Sequence, residues 1–507
     1  MLTTIKFYAW LLLCFLSTFF HSQVSASGLR PIDEPFDPAK HIFTAINRTE
    51  CNRIKTLPIE KIPGIVELLL ANLKKTESGR QVNTPRVILD LQELACAYER
   101  SGQELKAQNV FEKILSISEQ LYGPDHLQTA TALSRLGISY IRQNREKEAL
   151  PFSERALKIT ERRFGDDYVL LVGRMINSAL LYCQLGRFSE ALVLGQRTLA
   201  LAQTHFGQQD KIMTTVLFQI GWIHFKIFDY DQAHHLFERV LKIRQEQLPA
   251  AGNDVDLNQA IEFANTLRSL GALYFAKEKY ADASAYYERA LSIYKKSSYK
   301  LDTALITNNL VLSLFMQHGK PDYIKTIRNA IAMQDSPPGP DRILLTVSFA
   351  NMGFISLQNG DFFVAQPIYQ KALEMIEAAG GHPLQLASVL IALSELYLAL
   401  EVTDKAEQFG LRALAIREEA LGPRHPATAI TLNRLALVRQ KQGKYQEAEA
   451  LNQRALTIYE NTFGIESFKL VGLLRSMASL YTDMKQPKLA QAVTNRLLVI
   501  EKTEVKK

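Results

Sequence analysis

The sequence predicts an all-α fold, an α-solenoid of about ten stacked helix–turn–helix units. The first observation is an alanine that recurs at spacings of 41 or 42 residues through most of the chain. The second is a small residue twelve positions before that alanine in nine of the units. The third is the low usage of Gly and Pro, 25 and 18 among 507 residues, which favours long helices over turn-rich β architecture.

The repeat is marked by nine alanines: Ala107, Ala149, Ala191, Ala233, Ala283, Ala365, Ala406, Ala448 and Ala490. One gap of 50 residues contains an eight-residue insertion, and one gap of 82 contains a degenerate unit centred on Tyr323. The units therefore run from about Arg86 to Lys502. Because one unit cannot bury its own apolar faces, we expect neighbouring units to stack into a continuous core.

Each unit combines two amphipathic helices with a polar break between them. Leu133, Leu136, Gly137 and Tyr140 illustrate the apolar spacing of the first helix. Small residues allow two helices to approach closely, and a Tyr three positions later fills the volume beside them. Glycines such as Gly123, Gly422 and Gly464 are predicted to end the second helices.

The pattern resembles tetratricopeptide repeats. The 42-residue period and the stretches LGPRHPATA (421–429) and GKYQEAEA (443–450) are similar to the kinesin-light-chain type. The resemblance covers about four fifths of the chain. It implies a right-handed superhelix and a protein-binding role, and it points to no particular partner.

Five regions are expected along the chain. Residues 1–26 are predicted to be a signal peptide, and residues 27–85 a leader with a capping helix near 65–73. Units 1–6 occupy 86–334 with the insertion near 248–258, a Pro-rich loop or hinge occupies 335–342, and units 7–10 occupy 343–503. Both interruptions are interpreted as tolerated surface loops, with a hinge or a change in superhelix curvature as the functional alternative.

The N-terminal segment predicts export. Lys6 precedes an apolar run over 7–20, and small residues at 24–26 suit a cleavage site. The run is short for a membrane span, although an uncleaved anchor is the alternative. We expect a periplasmic protein, with an extracellular location as the second interpretation.

The cysteines exclude a disulfide framework. Cys14 lies in the predicted signal, which leaves Cys51, Cys96 and Cys183, an odd number. Buried free thiols are expected, and a single Cys51–Cys96 bond is the alternative.

Neither composition nor motifs predict catalysis. The formal charge is +7 over 507 residues, too diffuse for a nucleic-acid-binding face. No phosphate loop, dinucleotide fingerprint, zinc-protease or nucleophile-elbow motif occurs. His224, His234 and His235 fall in one unit, but ordinary packing or exposure explains them better than metal binding does. We therefore predict a protein that is not an enzyme and has no cofactor and no metal.

The predicted site is a wall of aromatic residues along the groove. Phe218, Trp222 and Phe225 lie at i, i+4 and i+7 of one first helix, and Phe225, Phe275 and Phe315 occupy one slot in three successive units. The full set of groove candidates is Phe218, Trp222, Phe225, Arg268, Phe275, Phe315, Asn351 and Phe354. An exposed aromatic in a groove anchors bound segments, and the alternative is that these rings pack against neighbouring helices.

Basic and amide residues are expected near the same wall. They are Arg135, Arg268, Arg434, Arg475, Asn177, Asn309, Asn351 and Asn433. Such residues hold an extended or acidic peptide through its backbone and carboxylates. The arginines are dispersed, so scattered solvated charge is the alternative.

Three function classes remain. The first is an exported, non-enzymatic scaffold that binds a protein or peptide in the concave groove. The second is an envelope-assembly or secretion-system accessory factor. The third is an enzyme or a regulatory sensor, for which no residue argues.

Overall fold

The computed structural model describes residues 61–78, 85–101, 103–143, 145–163, 167–227, 229–248, 257–296, 300–318, 342–378 and 383–505. These residues form twenty α-helices and one 3-10 turn, and no strand occurs among them. The predicted signal and leader up to residue 60, residues 249–256 of the insertion and residues 335–341 of the Pro-rich loop lie outside the described residues. The described helices fall into two compact units, which consist mainly of the residues up to Gln317 and of those from Leu345 onward.

The N-terminal unit consists of successive antiparallel helix pairs. Its described helices are α1 (Ile62–Ser78), α2 (Pro85–Arg100), α3 (Glu104–Tyr122), α4 (Leu127–Arg142), α5 (Glu146–Arg163), α6 (Tyr168–Gln184), α7 (Phe188–His205), α8 (Lys211–Lys226), α9 (Tyr230–Gln247), α10 (Leu257–Ala276), α11 (Tyr280–Tyr294) and α12 (Lys300–His318). Helix α1 packs on α2, and each later helix packs mainly against its neighbours in sequence. This pattern is that of a solenoid.

The C-terminal unit repeats the same arrangement. Its described elements are α13 (Arg342–Gln358), α14 (Phe362–Ala378), α15 (Pro383–Ala399), α16 (Thr403–Leu421), α17 (Pro426–Lys441), α18 (Tyr445–Phe463), a 3-10 turn (Phe468–Leu470), α19 (Val471–Asp483) and α20 (Pro487–Val505). The all-α solenoid predicted from the repeat is therefore confirmed.

Helix ends follow the predicted glycine stops. Gly123, Gly422 and Gly464 have φ angles of 91°, 98° and 87°, in the left-handed region that favours glycine. At helix starts, Asp210 accepts a hydrogen bond from the Ile212 amide at 2.7 Å, and His126 Nδ1 accepts one from the Gln128 amide at 3.1 Å. These bonds satisfy amides that the helix itself leaves unpaired.

The two helices of a unit meet where a small residue faces a large one. The marker alanines are inaccessible to solvent from Ala107 through Ala448. Gly221 on α8 lies under the ring of Phe237 on α9, and Gly353 on α13 lies under Tyr369 on α14. A Cβ at either glycine would stand 2.7 Å from the ring, so only glycine allows this approach.

Neighbouring units are also joined across the outer helices by a repeated ion pair. An arginine on one second helix contacts a glutamate on the second helix of the preceding unit. The pairs are Arg155–Glu119, Arg197–Glu161, Arg412–Glu377, Arg454–Glu418 and Arg496–Glu460. Each is solvent-exposed and contributes at most about 1 kcal/mol.

Among the helices that the structure describes, none combines the length and the hydropathy needed to span a membrane.

Candidate functional site

All eight predicted groove residues are buried. Their relative exposure ranges from 0% for Asn351 to 8% for Arg268. Phe218, Trp222, Phe225, Phe275 and Phe315 lie in the N-terminal unit, and Asn351 and Phe354 lie in the C-terminal unit. The expected exposed aromatic wall is therefore wrong as to exposure, while a role for these residues in partner binding stays a prediction.

The rings are buried because they surround a ring of the adjacent helix. The centroids of Phe218 and Trp222 each lie 5.6 Å from that of Phe237. Phe225 packs on Trp222 at 5.0 Å. At about 100° per residue, all three positions lie within about 100° of Gly221, the residue that faces α9. The sequence-based prediction placed the groove-facing side chains about 100° around the first helix from those that pack on the second helix. That angle is too small to reach the face opposite the second helix.

The downstream members of the set behave similarly. Phe275 packs edge-on against Tyr280 of α11 at 5.2 Å. Arg268 lies close enough to Tyr287 of α11 to act on its hydroxyl electrostatically. Because Phe275 and Arg268 both turn toward their own second helix, they belong to the core of the unit.

The inner face opposite the second helix carries amides. The position two residues before the small residue lies about 160° away from it around the helix axis. Asn177, Gln219 and Asn351 occupy this position on α6, α8 and α13. Asn177 and Asn351 were expected near the groove, whereas Gln219 was not. The sequence feature that could have identified Gln219 is its position two residues before Gly221, which matches the position of Asn177 before Ala179.

Several of these amides have buried atoms without a hydrogen-bond partner. They include Asn177 Oδ1, Gln219 Nε2 and both amide atoms of Asn351. Asn265 on α10 belongs to the same class, because its Oδ1 accepts from the Tyr294 hydroxyl at 2.6 Å while its Nδ2 lacks a partner. An unmade bond at a buried polar atom costs about 1–3 kcal/mol, so each one needs a physical account.

The other polar candidates are engaged within the chain. Asn433 donates to Asn452 at 2.8 Å. Arg434 contacts Glu395 at 2.8 Å, and burial raises the pKa of this glutamate. Arg475 pairs with Glu501 at 2.5 Å on the surface. These arginines therefore do not converge on one clamp.

Buried arginines act as joints between units. Arg244 on α9 donates to the Glu262 carbonyl at 2.8 Å and to Thr266 Oγ1 at 2.7 Å, both on α10. Arg417 on α16 makes the equivalent bonds to the Ala427 carbonyl and Thr431 on α17. Burial lowers the pKa of Arg244 to about 10. The bonds to α10 hold its register although the insertion separates the two helices in sequence.

The reactive residue types show no site. His224 Nδ1 contacts Asp229 Oδ2, and His234 Nε2 contacts the Tyr274 hydroxyl, both at 2.9 Å. No group of three metal-ligating side chains occurs among the described residues. Burial raises the pKa of the free thiol of Cys183 to about 12, which suppresses its thiolate. Cys96 is disulfide-bonded, contrary to the expected free thiol, and Cys51 lies outside the described residues.

Comparison with protein families agrees with this geometry. Five segments match the Tetratricopeptide repeat model, at residues 87–162, 171–246, 344–419, 385–461 and 427–498, of which the last three overlap, and a second model of the same description matches 263–297. The chain belongs to the tetratricopeptide-repeat family. Its repeats are of the kinesin-light-chain type, as the sequence predicted.

Similar proteins share segments of this repeat protein. Protein KINESIN LIGHT CHAIN-RELATED 3 of Arabidopsis thaliana is 25% identical over 247 residues, which is 47% of this chain and 36% of that protein. Protein KINESIN LIGHT CHAIN-RELATED 1 of the same plant is 27% identical over 126 residues, 24% of this chain and 21% of that protein. The match therefore spans about a third of the length of the first relative and about a fifth of the length of the second.

Solved structures include BtubC (BKLC) from P. vanneervenii, at 24% identity and a TM-score of 0.39, covering 47% of this chain and 92% of that one. A Rap protein complexed with Competence and Sporulation Factor has 14% identity and a TM-score of 0.49, covering 74% of this chain and 99% of that one.

Proposed function

We propose that this repeat protein is a non-enzymatic scaffold that holds an extended polypeptide segment along the inner helices of its N-terminal unit. Tetratricopeptide repeats suggest a protein-interaction scaffold. We further propose that the partner is a protein or peptide and that amide side chains on the first helices bind it.

The unpaired amides of the inner face carry this proposal. Asn177 Oδ1 is an acceptor on α6, and Gln219 Nε2 is a donor on α8. They lie on successive first helices. An extended main chain offers alternating N–H and C=O groups, which such amides pair through donors and acceptors.

Binding at these amides requires the inner face to open. Gln219 is 1% exposed, whereas Asn177 is half-buried. Repeat arrays change spacing readily because each unit contacts only its neighbours. A partner that forms hydrogen bonds with the amides removes the free-energy cost of their unpaired buried atoms. This gain in free energy favours the open state. Arg135, at the register of Asn177 on the preceding first helix α4, would suit an acidic side chain in the partner.

The test replaces the amides by apolar residues of similar size. Partners are first identified by affinity purification of the full chain from its native organism, and one is then titrated against Asn177→Leu/Gln219→Leu by calorimetry. We expect affinity to fall at least tenfold while the thermal melt is unchanged or higher, since the buried polar atoms are gone. The control is Gln196→Leu, an exposed amide on α7. Unchanged affinity in the double variant would refute this site.

We further propose export to the periplasm. Two features support this compartment: the apolar run over 7–20 followed by small residues, and the disulfide at Cys96, since disulfides persist in oxidising compartments. Cell fractionation and N-terminal sequencing test the proposal. Recovery from the cytosol with residue 1 intact would overturn export and the accessory role in envelope assembly or secretion.

A further inference from the structure

The first residue of the second helix is an aromatic in most repeats. These residues are Phe188, Tyr230, Tyr280, Phe362 and Tyr445. Tyr230 packs on Phe225 at 5.7 Å, and Tyr280 on Phe275 at 5.2 Å, each on the first helix of its own unit. Tyr445 also packs against a cluster of Ala436, Ala448 and Leu480, of which Leu480 lies on the first helix of the following unit. The position is thus an apolar slot in the joint between consecutive repeats.

In the second repeat this slot holds Glu146. The residue begins α5 and is 9% exposed, although a carboxyl is far more polar than the rings found elsewhere. The repeat register places it beside Ile141 of α4 and toward Leu181 of α6, both apolar. A carboxylate in such a slot loses its hydration, and a hydrogen bond with the backbone of Glu146 itself offsets only part of that loss.

The charged groups around Glu146 are engaged elsewhere. On α4, Arg142 contacts Glu99 of α2 at 3.1 Å. Just before α5, Arg145 pairs with Glu148 and lies over the Tyr140 ring, with its guanidinium carbon 4.4 Å from the ring centroid. Lys147 on α5 is exposed, and the facing register offers Leu181 on α6 and Leu185 directly after it. No ion pair of Glu146 occurs among the described side chains.

We propose that Glu146 makes the joint between the second and third repeats pH-dependent. The protonated carboxyl packs in the slot as a neutral side chain, and the ionised carboxylate loosens the contact between α5 and α6. The proposal rests on the burial of Glu146 in a slot that an aromatic residue fills in five of the nine described second helices, whereas Glu104, at the same position of the first repeat, is only partly buried.

The direction of the effect follows from proton linkage. Burial raises the pKa of Glu146 from its ordinary 4.5 to about 7. The closed joint therefore holds its proton more tightly than the open one, and closure weakens as pH rises. The equilibrium constant for opening should increase up to about tenfold per pH unit between these two values, and level off above the upper one. Helix α6 also carries Asn177, so regulation of partner binding by this joint would rest on the proposed function.

Hydrogen exchange of the partner-free full chain tests the joint itself. Exchange in α5 and α6 is followed by mass spectrometry from pH 5 to 8 in wild type and Glu146→Gln. The exchange rate of wild type divided by that of the variant is free of the intrinsic pH dependence of amide exchange. We expect that ratio to rise with pH and then to become constant near pH 7, while the exposed control Glu148→Gln tracks wild type. Glu146→Phe, which places the residue type of position 188 in the slot, should behave like Glu146→Gln. A ratio that does not change with pH in either variant would overturn the proposal.

Discussion

Tyr287 of α11 lies with its ring directly against Gly271 of α10, so that a Cβ on the glycine would stand 2.6 Å from Tyr287 Cε1. Tyr287 is inaccessible to solvent. The pair therefore sets how closely the two helices of the fifth repeat approach.

Gly271→Ala should lower the free energy of unfolding by about 1–3 kcal/mol, because overpacking forces the ring or the helix to move. The control is Gly207→Ala, where nothing lies within 4 Å of the added Cβ. Thermal and denaturant melts of both variants check the prediction. Equal melts would mean that the α10–α11 contact is looser than the structure indicates.

Phe275→Ala should destabilise the N-terminal unit by about 3–5 kcal/mol, since it removes a buried aromatic and leaves a cavity. Phe275 is 1% exposed, whereas the control Phe363→Ala removes a ring that is 88% exposed. Circular dichroism during denaturation measures both variants. A melt that is unchanged for Phe275→Ala would restore the interpretation of this ring as a groove residue.

Arg244→Met should cost about 1.5–3 kcal/mol, the contribution of hydrogen bonds to a charged group, because the bonds to α10 are lost. Arg197→Met on α7 is the matched surface control, since Arg197 pairs with Glu161 in an exposed bridge and should contribute under about 1 kcal/mol. Exchange protection at the start of α10 should fall in the first variant alone. Comparable losses in both would remove the special role of Arg244.

Cys183 should resist thiol reagents in the folded protein at pH 8, because burial raises its pKa to about 12 and excludes the reagent. Denaturation without reductant should expose it at once. Cys96 should react only after denaturation and reduction, since it is disulfide-bonded. Peptide mapping after alkylation separates the two residues. Labelling of Cys96 without reductant would contradict both the bond and the support it lends to export.

The repeat was predictable because it depends on the type and spacing of residues that are close together in the sequence. Ala233 and Gly221 mark the helix contact of the fourth unit, and their spacing recurs along the chain. Small residues at the contact and glycines at helix ends are requirements of backbone geometry. Such requirements remain visible in one sequence without any partner helix.

The site was less predictable because the faces of these helices are alike in composition. Phe218 and Trp222 suit a groove and a core equally well by residue type. Their burial depends on the ring of Phe237, which belongs to another helix. Gln219, the residue on the inner face, carried no signal beyond its register.

The sequence by itself determined the unit length, the helix pairs and their stops, since these follow from periodicity and backbone conformation. Only the tertiary structure decided which way Trp222 turns, which amides remain unpaired, and that Glu146 is buried. Those properties depend on the packing angle and separation of two helices, and an error of one residue, about 100°, turns an inner side chain into a core one.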